Sequence, residues 1–257
     1  MIDKYQMDHT YITLGHDSIY FRYKSPENYY HFLIYMVSNL RHINYNGIKR
    51  VYIQLAAPQL FKKDGYIMEV LRCILPNMYS ITSVAKNPEN VPVLEYNPNP
   101  DNLGRGESYA KGAYMFIRNV LMPYIIRKDV GNYKRIYVSR EKASKRKINN
   151  EAELVKHLEK YEFHVIYLEH HDSMNQMAYF HNAEIIISPH GAGLTNILFC
   201  KENTRVIEIA SAQMTSLQHF EHIAESINLN YSKYQDVVPD SESADSNMTI
   251  NTTNLTF

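Results

Sequence analysis

Tryptophan is absent from this 257-residue chain, cysteine occurs only twice, glycine nine times, and 27 basic residues are balanced by 27 acidic ones. Each scarcity closes off a class of protein. Cys73 and Cys200 lie far apart in no C-x-x-C or Cys/His grouping, so neither a disulfide framework nor a zinc site has support, and a reducing compartment is the simpler reading. Zero net charge argues against a broad nucleic-acid surface and leaves only local patches to interpret. No run of about 18 apolar residues is present to span a bilayer, and the opening MIDKYQMDHTYITLG has no apolar signal core. The expectation is a cytoplasmic protein with no integral membrane segment. A secretory-pathway or membrane-anchored parent trimmed of its anchor would read the same way.

What is present is core material. Hydrophobic residues make up 45% of the chain, and 22 tyrosines carry hydroxyls suited to surfaces that meet sugars or bases. The length fits one large domain or two small lobes. The first third reads as a strand at Ser18–Tyr23, a helix from about Pro26 to Arg41, a strand at Arg50–Leu55 and a helix from Gly65 to Leu75. Pro76, Pro88, Pro92, Pro98 and Pro100 then punctuate an asparagine-rich connection that ends at Gly104-Arg105-Gly106, before a helix over Ser108–Leu121. From Arg135 strands and helices alternate: RIYVS, a helix from Asn150 to Tyr161, FHVIYL, a helix from Ser173 to Asn182, EIIIS, a short helix at Leu194–Cys200, RVIEI, and a helix from Thr215 to Ile227. Such alternation predicts a parallel sheet with helical crossovers. Asn150 and Glu153 have capping-box spacing, and Leu154, Leu158 and Tyr161 share one helical face. The tail from Pro239 is polar and aperiodic and is expected to be disordered; its N-x-S/T sequons at Asn247, Asn251 and Asn254 are short matches. The expected division is an N-terminal lobe over 1–122, a C-terminal lobe over 123–238 whose last helix can pack back on the first, and the tail over 239–257.

Chemistry concentrates at strand ends. In Ser188-Pro189-His190-Gly191-Ala192-Gly193-Leu194-Thr195-Asn196 the glycines let backbone approach a ligand, and the following helix offers N–H groups and a positive dipole end to a diphosphate. Thr195, Asn196 and His190 add side-chain donors. An ordinary strand-to-helix turn, tightly packed, is the alternative. Ser139 and Arg140 end the strand RIYVS, and an arginine fork there can grip phosphate oxygens; Arg140 and Arg146 form the preferred pair, with Lys142, Lys145 and Lys147 read as a solvated basic loop. Glu208 can accept from ribose hydroxyls or close an internal salt bridge. His31 and Tyr35 stand four residues apart at the start of the first long helix, where a histidine serves either as a general base or as aromatic packing.

Taken in order, YVSREKASKRKINNEAELVKHLEKYEFHVIYLE, the helix with Gln176, and AEIIISPHGAGLTNILFCKENTRVIEIA resemble glycosyltransferase family 61 over Tyr137 to Ala210. A shorter likeness lies in NYYHFLIYM, similar to the family's N-x-x-H-x-x-x-D/E segment. The resemblance implies an α/β, GT-B-like fold, with two Rossmann-like lobes whose parallel sheets face a cleft and nucleotide held mostly by the C-terminal lobe. It also implies an inverting transfer from a UDP-sugar, such as a pentose or N-acetylglucosamine, to a hydroxyl of a glycan or glycoprotein. Arg140, Arg146, Ser139, His190, Gly191, Ala192, Gly193, Thr195, Asn196 and Glu208 would bind the sugar nucleotide, with His31 catalytic and Tyr35 on the acceptor side. No D-x-D occurs in the sequence, which fits a mechanism needing neither metal nor other cofactor. The chain departs from the pattern at Tyr35, where the family has an acidic residue. Tyrosine is a poor base at neutral pH, so the base falls to His31, with Asp64 and Glu69 as unplaced options. A catalytically silent sugar-nucleotide or glycan-binding module is the competing reading, and a nucleic-acid-binding protein using the Arg135–Lys147 patch a third.

Overall fold

The computed structural model of the chain describes residues 17–22, 28–42, 45–54, 65–84, 93–95, 107–214 and 217–257. Asp64, the prolines at 88, 92, 98 and 100, the glycines at 104 and 106, and the expected element ends at Tyr23, Pro26, Leu55 and Thr215 lie outside the described residues. Contacts divide the chain into Met1–Leu121 and Met122–Phe257. Both units are α/β, each built on a parallel sheet.

In the first unit, β1 (Ser18–Arg22), β2 (Arg50–Gln54), β3 (Ser80–Val84) and β4 (Val93–Glu95) pair in the order β3-β2-β1-β4, all parallel. Strand cores such as Ile19, Phe21, Val51 and Ile53 are buried. Helix α1 (Tyr29–His31) opens on Asn28, whose side chain accepts from the His31 amide at 3.3 Å. The chain then continues as a π-helical turn at Phe32–Met36 and a 3-10 stretch at Val37–His42. This irregular winding replaces the regular helix expected there. Every residue from Phe32 to Leu40 is buried, and the Asn39 side chain donates to the Tyr35 carbonyl at 2.8 Å, competing with the regular ladder. Helix α2 (Tyr66–Ile74) buries Ile67, Val70, Leu71 and Ile74 at the spacing of one helical face. Helix α3 (Glu107–Ile125) runs across the division between the units.

In the second unit, β5 (Arg135–Val138), β6 (His164–Ile166), β7 (Ile185–Pro189), β8 (Arg205–Ile209) and β9 (Asn230–Tyr234) form a five-stranded parallel sheet in the order β6-β5-β7-β8-β9. Its central strands read as continuous β-branched runs because helices cover both faces of such a sheet. The crossovers include α4 (Glu151–Glu159), α5 (Ser173–Asn182) and α6 (His219–Ser226). Asp172 caps α5 by accepting from the Asn175 amide at 2.7 Å.

Three expectations are corrected here. Residues 239–257 are ordered. Strand β10 (Val237–Pro239) pairs antiparallel with β11 (Met248–Ile250), and Met248, Ile250 and Leu255 are 0%, 3% and 4% exposed within a core that also holds Tyr137, Leu154, Leu158, Ile187 and Ile207. Three such side chains contribute on the order of 5–9 kcal/mol of apolar burial at most. The tail escaped notice because its apolar residues are sparse and every residue between them is polar. The second correction concerns the capping box: Asn150 makes no side-chain cap. Its carboxamide instead pairs like a backbone amide with Ile250, donating to the carbonyl at 2.9 Å and accepting from the N–H at 3.0 Å. Glu153 takes a hydrogen bond from Thr252 at 2.6 Å. Tyr161 lies beyond the end of α4 and is exposed, edge-on to the Phe257 ring, instead of sharing the buried face of Leu154 and Leu158.

Candidate functional site

Chain order and spatial order differ in the second sheet at one place. From β5 the chain crosses to β6 on one side, and β7 then returns to the other side of β5. Open parallel sheets bind ligands beyond the carboxyl ends of their strands at such a reversal, because the two flanking loops diverge and leave a crevice. The loop after β5 begins Ser139-Arg140, and the turn after β7 begins His190-Gly191.

The structure brings these two segments into contact. A methyl group added to Gly191 would stand 2.0 Å from Arg140 Nη1 and 2.9 Å from its Cζ, so the guanidinium lies directly on the glycine backbone. The backbone there is extended (φ 173°, ψ 164°), so space, not conformational freedom, is what glycine provides. Arg140 Nη2 donates to the Lys145 carbonyl at 3.0 Å, and Nε is buried without a hydrogen-bond partner. Burial first, and the neighbouring Arg146 charge second, pull the Arg140 pKa below its ordinary value; Glu169 and Asp245 offset this only in part. Among the described residues Arg140 forms no ion pair, although two carboxylates act on it from a distance.

Arg146 occupies the left-handed backbone region at φ 58°, a costly conformation for a side-chain-bearing residue. Its amide donates to the Asp245 carbonyl at 3.3 Å and its Nε lies 3.7 Å from the Asp245 carboxylate. Lys145 pairs with the same carboxylate at 2.6 Å. The basic loop is thus shaped by the C-terminal segment, a partner invisible in its own sequence. Lys142 is solvated, whereas the Lys147 amide is held by the Asn247 side chain at 3.0 Å. Ser139 is 3% exposed, and its Oγ accepts from the Glu141 amide at 3.1 Å, shaping the turn.

The turn after β7 leads into a 3-10 helix, Ala192–Phe199, two residues earlier than expected and more tightly wound. Its first N–H groups have no intrahelical partners, which suits an anion. Gly191 is buried, while Ala192 and Gly193 are half-buried. Gly193 has a packing duty, since a methyl group there would meet Leu168 Cδ1 at 2.5 Å. Gln176 secures that contact by donating to the carbonyls of Leu168 and His171 at 2.8 and 3.0 Å. Thr195 and Asn196 are fully buried, and the Thr195 hydroxyl donates back to the Ala192 carbonyl at 2.7 Å, which braces the turn.

Glu208, 1% exposed, has both carboxylate oxygens occupied, Oε1 by His190 Nδ1 and Oε2 by the Tyr231 hydroxyl. At that burial, and with each oxygen already holding an internal partner, the carboxylate is tied into the protein's own network. The internal partner is a histidine, and the contact is an ion pair when that ring is protonated. Nothing in the sequence marks Tyr231, since one tyrosine of 22, on an edge strand, carries no signal.

In the first unit, the His31 and Tyr35 rings lie 5.4 Å apart at 39°. Tyr35 is 3% exposed and hydrogen-bonded to Tyr30, and burial raises its pKa above the ordinary tyrosine value. It therefore holds its proton at neutral pH. Glu69 lies in the first turn of α2, half-buried. Among the described residues, no group of three or more His, Cys, Asp or Glu side chains is placed to hold a metal ion, and no helix is long and apolar enough to cross a membrane.

The family described as Glycosyltransferase 61 matches residues 29–207, well over half of the chain. The chain belongs to glycosyltransferase family 61. The match takes in His31, the Arg140 loop and the whole glycine turn, and ends at Ile207, one residue before Glu208. No curated protein matches the chain. Family membership makes the chain a glycosyltransferase, one that uses a sugar donor and an acceptor.

Proposed function

We propose that this glycosyltransferase inverts the anomeric centre as it moves a sugar, a pentose such as xylose or N-acetylglucosamine, from a UDP-sugar to a hydroxyl of a glycan or glycoprotein. The observation that carries the reading is the buried Arg140 guanidinium seated on Gly191 at the reversal point of the sheet, with no ion pair among the described residues. A leaving nucleoside diphosphate gains negative charge as the glycosidic bond to it breaks. Fixed cations and N–H groups already in place stabilise that charge without reorganising. Arg140, Arg146 and the amides of the turn supply them, and no metal or other cofactor enters the scheme. His31 is the candidate base that takes the proton from the acceptor hydroxyl.

Calorimetric titration with UDP, GDP and CMP tests the donor side. UDP is expected to bind, and Arg140→Ala to weaken it at least tenfold. Failure of all three nucleotides, or undiminished binding by the variant, overturns the reading. A second reading, a silent sugar-nucleotide-binding module, is favoured by the protonated, buried Tyr35 at the place of the family's acidic residue. Mass-spectrometric detection of sugar transfer that is lost in His31→Ala eliminates it.

A further inference from the structure

Glutamate is an improbable residue for the middle of the apolar strand RVIEI, and ionised carboxylates at 1% exposure are costly unless fully paired. Strand geometry explains how this one is satisfied. Along β8, Val206 and Glu208 point to one face, and the register sets them opposite Tyr231 and Lys233 of β9. Lys233 turns away to the Leu217 carbonyl at 2.9 Å and to Glu221 of α6 at 3.7 Å. Tyr231 reaches diagonally to Glu208 Oε2. Its hydroxyl keeps its proton, because burial and then the Glu208 charge raise its pKa, so it donates throughout the physiological range.

The other oxygen, Oε1, meets His190 Nδ1. A carboxylate only accepts, so Nδ1 is the protonated nitrogen. Two more restraints fix the ring: the His190 amide donates to the Ile209 carbonyl at 2.9 Å, and the imidazole lies 5.2 Å from the Phe220 ring of α6. No further hydrogen bond of the ring is made among the described residues, which leaves Nε2 as the nitrogen still to be used. A histidine serving only as core filling would not require a buried carboxylate and a dedicated tyrosine. His190 also immediately precedes Gly191, on which Arg140 rests.

We infer that Glu208 and Tyr231 are positioning residues that hold His190 through Nδ1–H, so that the doubly protonated ring presents Nε2–H as a donor to the diphosphate of a bound sugar nucleotide. The inference deepens the nucleotide-sugar reading and rests on it. It reassigns Glu208 from touching ribose to acting through His190. With Arg140 and His190 the turn then presents one permanent cation and one oriented imidazole, set on adjacent strand ends by different partners.

The experiment uses the full chain labelled with ¹⁵N, following the His190 ring by two-bond ¹H–¹⁵N correlation, with the signal assigned by its loss in His190→Gln. Nδ1 is expected to carry the proton in the unliganded protein, whether the ring is neutral or charged. In Glu208→Gln, whose amide can donate to Nδ1, the proton is expected to move to Nε2; in Tyr231→Phe, which keeps the carboxylate, both forms are expected. UDP affinity is expected to fall about tenfold in Glu208→Gln and less in Tyr231→Phe, with no further loss when Glu208→Gln is added to His190→Gln. A ring protonated only at Nε2 in the wild type, or an unchanged ring and affinity in both variants, overturns the positioning role and leaves the nucleotide reading intact. Absence of UDP binding by the wild type overturns the nucleotide reading, while the ring spectrum still decides whether Glu208 positions His190. If Glu208→Gln fails to fold, Tyr231→Phe carries the same comparison.

Discussion

Gly191→Ala separates the binding duty of the glycine turn from its structural one. The added methyl group would begin 2.0 Å from Arg140 Nη1, and reaching ordinary contact requires the guanidinium to move by about 1.5 Å. Because the backbone at Gly191 is extended, alanine fits there without strain, and the clash is with the mobile end of a side chain. The stability change is therefore expected to stay within about 1 kcal/mol, a shift of no more than about 4 °C in Tm. Binding is a different matter. A displaced arginine forfeits charge-assisted hydrogen bonds of about 1.5–3 kcal/mol, or roughly 10- to 150-fold in UDP affinity. Calorimetry on the wild type, Gly191→Ala, Arg140→Ala and the double variant provides the test. The two changes should be strongly non-additive, since the methyl group has nothing to displace once Arg140 is gone. Wild-type affinity in Gly191→Ala, or fully additive losses, would refute the placement of Arg140 as the anion-gripping group. A collapse in Tm would show instead that the glycine serves packing alone.

Met248→Ala should cost about 2–5 kcal/mol in thermal or denaturant unfolding, as expected for a core methionine, and a cost below about 1 kcal/mol would contradict the buried tail. Acid should loosen the same segment: a hydrogen bond from Lys145 lowers the Asp245 pKa, and hydrogen bonds from Thr252 and then Asn150 lower that of Glu153. Since both are depressed on folding, their contribution is complete above the ordinary carboxylate values of 3.8 and 4.5 and is lost as the pH falls through the lowered ones. Hydrogen exchange at the Met248 and Ile250 amides, corrected for intrinsic rates, should quicken in that window and not between about pH 6 and pH 8. His31→Ala should abolish transfer while leaving UDP affinity within about twofold; a parallel loss of both would show that His31 serves the fold instead. Tyr35 should show no tyrosinate absorbance below its ordinary value of 10.0, which the difference between wild type and Tyr35→Phe measures directly.

The alternation of apolar runs with helical periods from Arg135 onward was enough to read a parallel sheet, because strands buried on both faces must be apolar throughout, and that constraint is local. The family, the Arg140 loop and the glycine turn were legible for the same reason, as contiguous residue patterns. Tertiary structure alone decided which of those residues face outward. Thr195 and Asn196 sit in a helix start where donors are useful, yet both are buried in the 3-10 turn and the Thr195 hydroxyl bonds back to Ala192. Glu208 reads as a ligand group until Tyr231, 23 residues on, and His190, 18 residues back, occupy its oxygens. The tail reads as disordered because its apolar residues are few, and its partners, Asn150, Glu153 and Lys145, lie about 100 residues earlier. Sequence determined which residues stand at each strand end; long-range pairing, whose geometry no local pattern encodes, determined which of those side chains hold one another in place.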